Sequence, residues 1–262
     1  MAIIIPKSWD EINVDKFLEI YNYKLEDFDS QNQYYQNLLS ILSDVPIEQI
    51  ADEMDYEDFV EEINDLFFIT QTPFKFTKPY IDIDNELRLY LLPLDNLTIG
   101  EFIDLENFCK ESYMVNFKKI LSILYRQQIK KGDRLFNPEY EPYGNYIFLR
   151  ERLFNSVCIN EVYGSIISYF KYRDNIYQVF EGLFNMNGNQ EQVEEDLSDL
   201  SRAERLEVQK EIEKEKKIAL WGWDMLLYKL ANNDPTKILE ATNMPLIQAL
   251  NVLSMKKELN LD

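Results

Sequence analysis

Histidine is absent from all 262 residues of the chain. Without it no side chain has an unperturbed pKa near neutrality, and the commonest general base and metal ligand are both missing. Ser-His-Asp and Cys-His arrangements, histidine-based zinc sites and the non-haem iron triad are therefore excluded. Glycine is scarce: the 7 glycines are scattered and form neither GxGxxG nor a Walker loop. The two cysteines, Cys109 and Cys158, make no CxxC, and each sits in an apolar stretch where a buried thiol acts as a small hydrophobe. No GxSxG occurs. Long hydrophobic runs are missing too. Ile3-Ile4-Ile5 and Leu66-Phe67-Phe68-Ile69 fall far short of the roughly 20 residues of a membrane helix. Met1 to Pro6 lacks the basic leader of a signal peptide, so the expected location is the cytoplasm. Positive charge is also in deficit, with 27 Lys+Arg against 47 Asp+Glu and a formal net charge of −20. Such a chain repels phosphate backbones and anionic lipid, which argues against nucleic-acid and membrane partners. Lys118, Lys119, Arg126, Lys130, Lys131 and Arg134 form the one basic cluster, read here as a solvated helix end.

What is present is core material. Apolar residues make up 46%, with 16 Phe, 17 Tyr and 3 Trp, enough to offset the entropy of ordering a globular chain. Self-similarity organises it. Trp9-Asp10-Glu11-Ile12-Asn13-Val14 through Ile20 aligns with Leu94-Asp95-Asn96-Leu97-Thr98-Ile99 through Leu105, and Leu38 to Leu42 aligns with Ile120 to Leu124. We expect an internally duplicated helical unit. Thr98-Ile99-Gly100-Glu101 has the capping-box form, and Asn13 suits the cap of the earlier helix. From Glu101 to Leu124 apolar residues recur at helical spacing, with a break expected near Ser112. A helix over Ile47–Phe68 follows Pro46. Phe74–Thr77, Tyr80–Ile83 and Leu87–Leu91 alternate at period two and predict a small antiparallel sheet. Gln128–Tyr146, with its Gly and Pro residues, reads as a loop. Tyr146–Cys158 and Val162–Phe184 return to helical spacing.

The fold class expected is thus mainly α with a small antiparallel β element (α+β). The expected organisation is an N-terminal helical unit (1–70), a β hairpin or connector (71–93), a second helical unit (94–185), a charged helix (186–219) and a C-terminal helical block (220–262). In that block Asp234 or Asn233 should cap a helix begun by Pro235, and Asn243-Met244-Pro245 repeats the device before Leu246.

Carboxylates are the only catalytic candidates. Asp82-Ile83-Asp84 and Asp55-Tyr56-Glu57-Asp58 place acids together, as Mg²⁺ chemistry uses them. In a chain with 47 acids such groupings arise by composition, and turn use is the simpler reading. No catalytic residue, cofactor or metal ligand is assigned. Interface candidates are Trp221, Trp223 and Leu227 of the C-terminal block with Leu206 and Ile212 of the charged helix, tryptophan being a frequent hot-spot residue. Packing of the tryptophans into a core is the competing reading.

Four features together resemble helical proteins of phage and prophage morphogenesis clusters, of the tail-assembly-chaperone-like kind. They are the paired openings at Ser8–Val14 and Leu94–Asp104, the stretch Ile120–Arg126, the Phe/Tyr-rich helices around Phe170, and the Trp221-Gly222-Trp223 ending. The resemblance implies a non-catalytic factor that binds other phage structural or tail proteins in the host cytoplasm, with no catalytic residues to transfer. The alternatives are a virion component (tail, connector or ring) with permanent subunit contacts, including a homo-oligomer, and a metal-dependent enzyme built on the acidic clusters.

Overall fold

The structure, a computed structural model, describes residues 4–73, 77–84, 86–131, 138–144, 147–184 and 222–260. The described chain is mainly helical with one four-stranded antiparallel sheet, the α+β class expected from the sequence. It divides into two compact units, each discontinuous in sequence: residues 1–92 with 108–170, and residues 93–107 with 171–262.

The first unit opens with a 3₁₀ turn at Trp9–Glu11 and α1 (Val14–Asn22). Asn13 caps α1, its side chain accepting from the Lys16 amide at 2.9 Å. α2 (Gln31–Ser43) buries Leu38, Leu39 and Leu42, and ends on Asp44 in the left-handed region (φ 56°). Lys16 reaches that end, donating to Leu42 O at 2.8 Å and pairing with Asp44 at 2.7 Å, a cation where the helix dipole is negative. The single helix expected over Ile47–Phe68 is three pieces: α3 (Ile47–Glu53), α4 (Tyr56–Asp65) and a 3₁₀ turn at Leu66–Thr70. The break falls where Asp55 takes the amides of Glu57 and Asp58, restarting the helix.

β1 (Tyr80–Asp82) and β2 (Arg88–Leu91) pair antiparallel with Ile81 opposite Leu89, both 1% exposed. Phe74 to Phe76 of the expected first strand lie outside the described residues. α6 (Phe117–Leu124) runs directly into β3 (Tyr125–Lys130), which pairs with β2 on one side and with β4 (Glu139–Tyr140) on the other. A loop was expected from Gln128. The strand instead extends to Lys130, because its partners lie about forty residues before it and ten after, outside any local pattern.

The helix-to-strand join frees carbonyls that two buried arginines take up. Arg126 donates through Nε to Ile123 O and Arg150 to Ser122 O, both at 3.0 Å. Arg150, on α7 (Ile147–Glu151), also pairs with Glu141 at 2.5 Å. The basic cluster expected to be solvated is thus largely engaged within the unit. Arg126 is 4% exposed and lies 5.5 Å from the Tyr143 ring, Lys118 binds Asp15 and Asn155, and Lys130 pairs with Glu139. Arg134 lies outside the described residues.

α8 (Ile159–Val179) begins at a one-residue bridge, Asn13 to Cys158, where Val14 N donates to Val157 O and Ile159 N to Ile12 O, both at 2.9 Å. Phe17 sits at the centre of the aromatic packing, 5.5 Å from Trp9 and 5.8 Å from both Phe117 and Tyr163.

The second unit contains a local arrangement of the same form. A 3₁₀ turn at Leu94–Asn96 precedes α5 (Ile99–Glu111), which supplies residues to both units and stops before Ser112, where the break was expected. Thr98 bridges to Pro245, the residue before α12 (Leu246–Glu258). Ile99 N donates to Met244 O (3.0 Å) and Leu246 N to Leu97 O (2.8 Å). The capping box forms as read: Thr98 Oγ1 accepts the Glu101 amide at 3.2 Å and Glu101 accepts the Thr98 amide at 2.8 Å. A Cβ at Gly100 would stand 3.0 Å from the Thr242 carbonyl oxygen, so the close approach needs glycine.

α9 (Glu181–Phe184) follows α8, and the described part of the next helix, α10, covers 222–230. Two left-handed asparagines end α10, Asn232 (φ 56°) and Asn233 (φ 60°), with Lys256 donating to Lys229 O and Asn232 Oδ1, both at 2.6 Å. Asp234 caps the 3₁₀ turn Pro235–Lys237 that leads into α11 (Ile238–Thr242). Asn243 does not repeat that device. Its amide turns back to Leu239 O, and the Leu246 amide is satisfied across the bridge.

Candidate protein-docking surface

Between Lys24 and Lys75 the chain runs fifty residues with thirteen acids and no base, a formal −13 of the total −20. α3 and α4 lie in that stretch. Successive helical positions advance about 100°, so Tyr56, Phe59, Val60, Ile63 and, past the helix end, Phe67 fall on one side of α4. Such a stripe ordinarily marks a face packed into a core. Here no residue of α4 is buried. Phe59 and Ile63 are half-buried, while Tyr56 (77%), Val60 (39%) and Phe67 (67%) form an apolar strip open to solvent.

The strip is held from its C-terminal end. Leu66 is buried, the Phe68 ring meets Trp9 edge-on at 5.2 Å, and Trp9 Nε1 donates to Gln71 O at 2.9 Å. Lys7 pairs with Asp65 at 2.5 Å. Its ammonium is held above its ordinary value chiefly by that hydrogen bond, with Glu62 adding to it.

The electrostatics of α4 oppose its own helix. Glu57–Glu61, Asp58–Glu62 and Glu61–Asp65 are like-charge neighbours one turn apart, each costing about 0.2–0.5 kcal/mol. Its last turn holds no base, so Glu61, Glu62 and Asp65 face the negative end of the dipole. Glu62 Oε2 is buried with no hydrogen-bond partner among the described residues. Glu57 and Glu61 border the apolar strip on its solvent side.

The residues assigned to an interface from sequence lie elsewhere. Trp221, Leu206 and Ile212 are outside the described residues. Trp223 is half-buried and meets Phe102 and Phe184 edge-on, each at 5.5 Å, within the second unit. Leu227 is 7% exposed and belongs to that unit's own packing. α4 was not singled out, because its periodicity reads as burial. The sequence signal was there in the fifty residues without a base.

Three of the catalytic candidates are engaged locally. Arg88 donates to both carboxylate oxygens of Asp82 (2.6 and 3.2 Å), Asp84 accepts the amides of Glu86 and Leu87, and Asp55 caps α4. No group of three or more His, Cys, Asp or Glu among the described residues could hold a metal ion. A cavity of about 370 Å³ is lined by Lys78, Pro79, Tyr80, Ile81, Asp82 and Glu161. Its charged groups are paired, Lys78 with Glu161 at 2.5 Å and Asp82 with Arg88. Neither cysteine is in a disulfide, both are half-buried, and burial pushes the Cys158 thiol up, away from the reactive thiolate. No helix among the described residues is long and apolar enough to cross a membrane.

Compared with family models, curated proteins and solved structures, the chain matches none of them.

Proposed function

We propose that this chain is a non-catalytic protein-binding factor of phage particle morphogenesis, tail-assembly-chaperone-like, acting in the host cytoplasm. The observation that carries the binding role is α4, an amphipathic helix whose apolar strip the described residues of its own unit leave uncovered. Apolar side chains bordered by charge on a solvent-facing helix suit a surface buried only on association. Asp55, Asp84 and Asp82 of the acidic clusters serve a cap, a turn and an ion pair, which supports a role without chemistry of their own.

The morphogenesis setting rests on the resemblance of Ser8–Val14, Leu94–Asp104, Ile120–Arg126 and the Trp-bearing end. We include in the proposal the internal duplication read from those segments. It is supported by a shared local geometry: a 3₁₀ turn, a one-residue bridge and a capped helix occur at Trp9–Asn22 and again at Leu94–Glu111. In each, the residue after the bridge donates to the residue before it on the opposite segment.

Proteomics of purified particles beside the lysate that produced them tests the assignment. An assembly factor is abundant in the lysate, associated with particle proteins there, and depleted from finished particles. Stoichiometric presence in the particle would instead mark a structural virion component.

A further inference from the structure

We propose that the α4 strip docks a basic amphipathic helix of a partner protein, a proposal that rests on the protein-binding reading above. Three features of the surface select that occupant. The exposed apolar residues Tyr56, Val60 and Phe67 span twelve residues, about 17 Å at helical rise, the reach of roughly three turns of a partner helix. A helix laid along such a strip engages it with apolar anchors at i, i+3, i+4 and i+7. The surroundings then set the sign of the partner. The strip lies in a fifty-residue stretch with thirteen acids and no base, and Glu57 and Glu61 border it.

The excess negative charge on α4 points the same way. Its like-charge pairs and its acids at the negative end of the dipole cost the free helix stability, and among the described residues Lys7 offsets part of this, paired with Asp65 and acting electrostatically on Glu62 and Glu61. Lys and Arg flanking the anchors of a docked helix would supply the missing cations and steer its approach. A second copy of this chain would bring the same acidic stretch against itself. A nucleic acid or an anionic lipid surface would meet repulsion.

The probe is a synthetic peptide of about 20 residues, long enough for the strip, with leucines on one helical face and lysines on the other. Binding to the full chain is read by fluorescence anisotropy. Two control peptides carry the same leucines with glutamate in place of lysine, or the same composition scrambled. The basic amphipathic peptide should bind and the glutamate peptide should not. The Val60→Ser, Phe67→Ser double variant should bind it at least about tenfold more weakly, a change of about 1.4 kcal/mol. Glu57→Gln with Glu61→Gln should weaken binding about threefold to tenfold and flatten its dependence on salt. The substituted side chains are exposed, so circular dichroism should be unchanged.

Equal binding to the wild type and the Val60→Ser, Phe67→Ser variant overturns the proposal. So does no binding, or equal binding of the scrambled peptide. A dimer in sedimentation that Phe67→Ser dissociates also overturns it, by assigning the strip to a second copy. Particle proteomics and peptide binding fail separately: a stoichiometric virion protein that still binds the peptide loses the assembly role and keeps the docking chemistry.

Discussion

Glu101 shows how much one side chain does in this fold. It is 2% exposed, yet its carboxylate accepts the Thr98 amide at 2.8 Å while its own amide donates to the Thr98 hydroxyl. The reciprocal bonds satisfy two of the donors that a helix N-terminus leaves open, and the carboxylate lies at the positive end of the dipole. Glu101→Ala leaves the half-buried Thr98 amide without this acceptor. We expect a loss of about 1–2 kcal/mol, measured as a lower denaturant midpoint at unchanged slope. An unchanged midpoint would mean that the box adds nothing. Asn13 performs half of this task for α1 by accepting the Lys16 amide, with the Ile159 amide donating to Ile12 O beside it.

At the scale of elements, α10 and α4 place their apolar residues in opposite surroundings, one packed and one exposed. α10 places Trp223 against Phe102 and Phe184 and buries Leu227, so its aromatic content supports the second unit. Trp223→Ala removes two edge-on ring contacts and should cost about 2–3 kcal/mol, less than full burial would give. Chemical denaturation followed by circular dichroism checks this, with Phe67→Ser on the exposed strip as the comparison. Phe67→Ser should shift the midpoint little, and the reverse order would exchange the roles of the two helices. Both helices have apolar spacing that a sequence reads as burial. The difference lies in what the chain brings opposite them, which for the strip of α4 is nothing among the described residues.

For the whole molecule the decisive property is charge. A formal −20 over 262 residues, thirteen of the acids in one stretch without a base, sets up self-repulsion in the compact state. Salt shortens the range of that repulsion more than it weakens the close pairs of buried or half-buried groups, such as Arg150–Glu141. Raising NaCl from about 0.02 M to about 0.3 M should therefore stabilise the fold by about 1 kcal/mol, a melting temperature higher by roughly 2–4 °C. A lower melting temperature in salt would mean that attractive pairs outweigh the repulsion.

The sequence by itself determined the helical class, the break at Ser112, the caps at Asn13 and Thr98 and the strands at Tyr80 and Arg88, and narrowed the cap before Pro235 to Asn233 or Asp234. Each rests on bonds or alternation within a few residues, where chain neighbours are fixed by covalent connection. Tertiary structure decided the rest: β3 as a strand, Arg126 buried against the end of α6, the bridges from Asn13 to Cys158 and from Thr98 to Pro245, and α4 left open. Each of these depends on segments distant in the chain, and a local pattern states which face is apolar without stating what meets it.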